Sequence, residues 1–209
     1  MTAQGTAVEP QRICYRAFEL IRDRQFDDAE KLLAHWLGKV DDAVARALLH
    51  STFGVLEKRR GHYQAALRHY ERAERLIPHD PVIKLITARL LLEVYHETEK
   101  AVRKCRQVEK LLPDNPVVVH HAKTLEGLAH AIKGNRRKAL QMLRASMMNG
   151  FEGFLSCDNI DFHLVEYCLK KGWNRESCQE FLTGALACAR RYQETLWVTT
   201  VGKILAALS

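Results

Sequence analysis

Apolar residues return every three or four positions along most of this chain, the spacing of helices that each bury one face. The first run starts at Pro10, with Ile13, Ala17, Leu20 and Ile21 on one helix, a break near Arg24 and Gln25, and then Phe26, Ala29, Leu33 and Trp36 on the next. The clearest run reads His50, Phe53, Gly54, then Gly61, Tyr63, Ala66, Tyr70, Ala73 and Pro78. Small residues at Gly54 and Ala66 let two antiparallel helices approach where they cross, Tyr70 fills the space beside them, and Ala73 leaves room for the next helix. Pro78 ends the second helix, because proline has no amide hydrogen to donate.

These landmarks recur. Placing Ala29 at the position of Ala66 also aligns Phe26 with Tyr63 and Leu33 with Tyr70. Ala101 and Pro113 repeat Ala66 and Pro78 at an offset of 35, and Gly127, Gly134 and Ala139 repeat Gly54, Gly61 and Ala66 at an offset of 73. Asp80-Pro81 and Asn115-Pro116 each set a capping side chain before proline at the first helical position. The pattern predicts four helix pairs at about 10–43, 44–79, 80–114 and 115–148, after a disordered stretch at 1–9. An irregular loop follows at 149–158, whose Gly150 and Gly153 suit a left-handed helix end. Its Phe151 and Phe154 are expected to tuck back onto the helices, with self-association through 149–155 as the other use for them. A degenerate fifth pair at 159–190 and a final helix at 191–209 would cover the open apolar end.

The run from His50 to Pro78 resembles a unit of the tetratricopeptide repeat (TPR) family, and the resemblance extends clearly over about residues 10–148 and weakly over 159–190. It departs from the family at His50, where tryptophan is usual, and at Glu57, where tyrosine is. The resemblance implies an all-α, right-handed α-solenoid of antiparallel helix pairs with a C-terminal capping helix, whose first helices line a concave groove for a peptide or helix of a partner. The family's groove positions fall on Cys14, Phe18 and Ile21; Ser51, Val55 and Lys58; Leu85, Arg89 and Leu92; and Thr124, Leu128 and Ala131. A mixed apolar and polar lining of this kind suits an extended segment or an amphipathic helix. The clamp with which some members hold a C-terminal carboxylate needs Lys and Asn where this chain has Cys14 and Phe18, which argues against a chaperone-tail co-factor.

Charge adds one feature. Of the net +7, residues 81–138 contribute 12 basic and 6 acidic side chains, whereas 139–209 carry 7 of each. Turns within helix pairs are basic, and Arg59, Arg60, Lys133, Arg136, Arg137 and Lys138, joined by Arg103, Arg106 and Lys110, would form an edge attractive to an acidic protein partner. The same edge makes nucleic acid the second candidate, although no aromatic residues are interleaved with it for base stacking. A secretion or assembly chaperone is a further alternative for a small helical-repeat chain.

Six cysteines without a CxxC pair read as buried thiols in a reducing, cytoplasmic compartment. Neither a secretory signal nor an apolar stretch long enough to span a membrane is found. No GxSxG, HExxH or glycine-rich phosphate loop occurs, and Cys168, Cys178, Cys188, His120, His121 and His163 lack metal-ligand spacing. The expectation is a scaffold that is not an enzyme and has no cofactor, its monomeric or dimeric state open.

Overall fold

A computed structural model describes residues 9–208. Of the stretch 1–9 expected to be disordered, residues 1–8 lie outside the described residues and Glu9 already starts the first helix. The chain divides into two compact units at Leu90 and Leu91, and each is taken by itself.

The first unit contains α1 (Glu9–Arg22), α2 (Phe26–Leu37), α3 (Ala43–Arg60), α4 (Tyr63–Leu76) and most of α5 (Pro81–Glu93). Helix α3 starts where Asp42 accepts a hydrogen bond from the Ala45 amide at 2.7 Å, and Asp80 accepts one from Ile83 at 2.8 Å; each satisfies an amide that the helix itself leaves unpaired. Ile13, Ala17 and Leu20 of α1 meet Leu33 of α2 and Leu49, Phe53 and Leu56 of α3 in one buried cluster. Ala47, Ala73 and Ile83 form a second. The crossing of α3 and α4 depends on Gly54: a methyl group there would lie 2.2 Å from the ring of Tyr70, which is itself buried and has no room to turn away.

Both departures from the repeat pattern are resolved by polar pairing. Buried His50 shares a hydrogen between its Nδ1 and that of His69 at 3.1 Å, while His69 stacks on Phe53 with ring centres 4.7 Å apart. Buried Glu57 accepts from Arg60 at 3.2 Å and binds His62 at 2.9 Å.

The second unit contains α6 (Thr98–Leu111), α7 (Pro116–Ile132), α8 (Arg136–Ser146), a single turn α9 (Met148–Phe151), a 3₁₀ turn at Cys157–Asn159, α10 (His163–Lys170), α11 (Arg175–Arg191) and α12 (Thr195–Leu208). Asn115 caps α7 through the Val118 amide at 3.0 Å. Helix α7 packs against α6, α8 and α10, and Gly127 admits α10, since a methyl group there would come within 2.3 Å of Leu164.

Residues 149–158 carry more structure than an irregular loop. Phe151 and Phe154 are fully buried, their rings edge-on at 5.3 Å, with Phe151 also edge-on to Phe181 at 5.1 Å. Leu155 of the same stretch is exposed, but in this packing neither phenylalanine side chain reaches the surface, so neither is available for self-association. At their centre sits His120, also fully buried. Its Nδ1 donates to the Ser146 carbonyl at 2.9 Å and its Nε2 accepts the Asp161 amide at 2.7 Å, which fixes a single neutral tautomer. Helix α12 packs on α11. It is tied at its end by Arg175 and Gln179, which donate to the Leu208 carbonyl, and at its start by Trp197, which stacks on Phe162 and donates to Asp158 at 2.8 Å.

Candidate interaction surfaces

Helices α1 and α3 run beside each other, and their facing ends leave an open depression of about 470 Å³ that uses three of the predicted groove residues, Phe18, Ile21 and Val55. Ile21 is buried at its floor, Val55 is half-buried, and Phe18 is 43% exposed, high for so large an apolar side chain. Ser51 and Lys58, on the same helix as Val55, are half-buried, as are Leu85 and Arg89 on α5. Cys14 is a correction. It belongs to the core with Leu49 and Phe53, because α1 lays that face directly on α3.

In the second unit a smaller depression of about 240 Å³ lies between the end of α5, α7 and α10. Leu92, Leu128, Ile132 and Tyr167 give it apolar walls, and Glu93, His163, Glu166 and Lys170 stand around them. Thr124 and Ala131 do not reach it. Both are buried, and they too leave the groove set, because α7 is covered by neighbours on three sides. Sequence reasoning missed the contribution of α10; the helical period through Leu164 and Tyr167 was visible, but nothing in it marked Tyr167 as facing outward.

The basic edge proves discontinuous. Arg60, only 14% exposed, is held by Asp27 at 2.9 Å, Glu30 at 2.6 Å and Glu57 at 3.2 Å, with its guanidinium over the Phe26 ring. Arg106 pairs with buried Glu126 at 2.9 Å, and Lys133 pairs with Glu99. Arg103, Arg106, Lys133 and Glu99 stand around a depression of about 280 Å³ beside His130. Burial, reinforced by Lys138, Arg106 and Lys133 and opposed by Glu126, holds the His130 imidazole below its ordinary value, so it is neutral near pH 7. Arg59, Lys110, Arg136, Arg137 and Lys138 are exposed. Three of these, Arg136, Arg137 and Lys138, crowd the first turn of α8, the end of a helix where the backbone dipole disfavours positive charge.

The cysteines are all free and buried. Burial raises the thiols of Cys14 and Cys188 above their ordinary value and pushes that of Cys157 up to about 12, which removes them as nucleophiles at neutral pH. Among the described residues no group of His, Cys, Asp and Glu could hold a metal ion, and no helix is long and apolar enough to cross a membrane.

Antiparallel helix pairs meeting through small residues, with first helices presenting shallow apolar depressions, define a helical-repeat protein. No protein-family model matches the chain. No curated protein matches it either. Among solved structures it is similar to a thermophilic TPR protein of Thermus thermophilus, at 16% identity and a TM-score of 0.62 over 95% of this chain and 98% of that one. It is also similar to PilW, a type IV pilus biogenesis factor, at 15% identity and 0.63 over 90% and 77% of the two chains. A third is MamA from Desulfovibrio magneticus RS-1, at 16% and 0.59 over 90% and 98%. The fold is that of the tetratricopeptide repeat proteins.

Proposed function

We propose that this chain is a non-enzymatic interaction scaffold of the cytoplasm that binds a peptide or helix of a partner protein along its first helices. The observation that carries the reading is the placement of the two groove depressions: one is walled chiefly by α1 and α3, the other by α5, α7 and α10. Second helices contribute little beyond Phe26 at the start of α2. Shallow, open and apolar-floored surfaces suit a side-chain-bearing segment better than a small molecule, which needs an enclosing cavity. The reading of the compartment rests on six buried cysteines without a CxxC pair and without a disulfide in this structure.

A photo-crosslinking residue placed at Val55 or Leu85, in the cells that make the protein, tests this. Partner peptides mapped by mass spectrometry should attach at these positions and not at exposed Gln64 or Arg68 on α4. Equal labelling of α4 would overturn the reading.

A second reading, contact with nucleic acid, is favoured by one observation. Arg136, Arg137 and Lys138 stand exposed against the helix dipole of α8, a placement that costs about 0.3–1 kcal/mol each. It is tested by retention on a single-stranded oligonucleotide across a salt series, where an affinity that does not fall with salt counts against it.

A further inference from the structure

The depression between α1 and α3 carries charge that its surroundings do not balance. Arg22, Arg24 and Arg59 stand around the floor made by Phe18, Ile21, Phe26 and Val55. Carboxylates are plentiful on the flanking helices, yet they are committed elsewhere. Asp27, Glu30 and Glu57 converge on Arg60, Asp28 lies 3.8 Å from Lys31, and Glu19 binds Arg16 at 2.9 Å. Asp23 takes Arg22 at 3.1 Å, an exposed pair between chain neighbours that water competes for. Arg24 and Arg59 make no ion pair among the described residues. Arg24 is also held at a φ of 60°, in the left-handed region that a non-glycine residue seldom adopts, at the turn that aims it beside the floor.

Resting on the scaffold reading, we propose that this depression is an acidic-motif subsite: it takes an apolar side chain of a partner peptide on Phe18, Phe26 and Val55, while carboxylates flanking that side chain pair with Arg24 and Arg59. The chemistry selects a peptide over a polyanion. Two guanidiniums could bind any anion, but an apolar floor rewards only a ligand that has an apolar group between its charges. A duplex presents only its phosphate backbone to such a floor, and a single strand would have to stack a base on Phe18 or Phe26, which competition by an oligonucleotide tests. Guanidinium pairs with carboxylate in a two-pronged geometry, so the subsite adds direction to the general attraction of a basic surface.

The experiment selects binders to the full chain from a displayed random dodecapeptide library and measures their affinities by fluorescence polarisation at 0.1 M salt. Enriched peptides should carry Asp or Glu on both sides of a Phe, Leu or Trp. Arg24→Glu/Arg59→Glu should weaken them by about tenfold or more, and Phe18→Ala by a lesser but measurable factor, with circular dichroism showing both variants folded. Gln64→Ala, exposed on α4 and outside both depressions, should leave affinity unchanged. Arg59→Lys, which keeps the charge but loses the two-pronged geometry, should lie between the native chain and the reversal.

Enriched peptides that bind the double variant equally, or that are neutral or basic, overturn the proposal. So does an oligonucleotide that competes for the same site with the same dependence on Phe18. Binders whose affinity depends on Leu128 and not on Arg24 and Arg59 would remove the subsite and leave the scaffold standing, whereas an absence of binders from the library would count against both.

Discussion

Two helix junctions solve the same packing problem by opposite means. Where α3 crosses α4, contact is made by removing atoms: Gly54 brings the helices together over one buried tyrosine, with the His50–His69 pair set beside the crossing. Where α8 gives way to α10, contact is made by adding them, with Phe151, Phe154 and Phe181 gathered around an imidazole that binds two backbone groups. The first arrangement is repeatable, since the same small residues can meet at any crossing. The second is specific to one place, because it requires an acceptor at the last residue of a helix and a donor on backbone that is not helical. A repeat array can be extended by copying, but ending or bending it takes a local device.

The largest effect should fall on that device. Phe151 is fully buried, yet its φ of 63° lies in the left-handed region, so the ring's packing holds a strained backbone in place. Phe151→Ala should cost about 3–5 kcal/mol in urea denaturation. Phe151→Gly separates the two contributions: it loses the same ring but relieves the backbone, and should recover about 1 kcal/mol of that loss. Equal stability of the two variants would mean that no strain is held there.

Gly54→Val should come next, at about 3 kcal/mol, since a methyl group 2.2 Å from a ring that has no space to move forces the helices apart. Measured beside Gly61→Ala, which meets nothing but is strained by a φ of 82°, it should prove the more damaging. The reverse order would show that turn conformation, and not close approach, governs this junction.

How far the two junctions could be read from the sequence differs for the same reason. Gly54, Ala66, Tyr70 and Ala73 were legible because each spacing has one geometric meaning, and the caps at Asp80 and Asn115 were legible because a short polar side chain before proline has few other uses. His120 was not, since its partners are the carbonyl of Ser146 and the amide of Asp161, and backbone groups leave no mark on residue identity. Arg59 and Arg60 show a further limit. They are neighbours of the same type, about 100° apart around α3, and that rotation sends one into three carboxylates and the other into the open depression.

His120→Leu tests whether the polar centre of the second junction stabilises it or only accompanies the aromatic packing. The substitution keeps an apolar side chain of similar reach but strands the Ser146 carbonyl and the Asp161 amide, at a cost of about 2 kcal/mol. Hydrogen exchange should then quicken at Asp161 while the amides of α3 remain protected. A uniform quickening throughout the chain would mean that the two units unfold as one.

The first junction has its own imidazoles, and they set the smallest effect. His50 is buried against His69, and burial, helped by His69 and by the cations Arg72, Arg46 and Arg75, lowers its pKa from 6.5 to about 4; burial likewise lowers that of His69. A depressed histidine means that the unfolded chain takes up the proton first. Stability is therefore unaffected above about pH 7, declines as the pH falls through 6.5, and stops declining from this source near pH 4. Between pH 7.5 and 5 the loss should be about 1–2 kcal/mol. His50→Met cannot take up a proton and keeps an apolar side chain in the buried site, so its stability should fall less over the same interval. If native and variant chains lose stability in parallel, the pH dependence arises outside this pair, and the replacement of the family's usual tryptophan by His50 is a packing substitution with no electrostatic consequence.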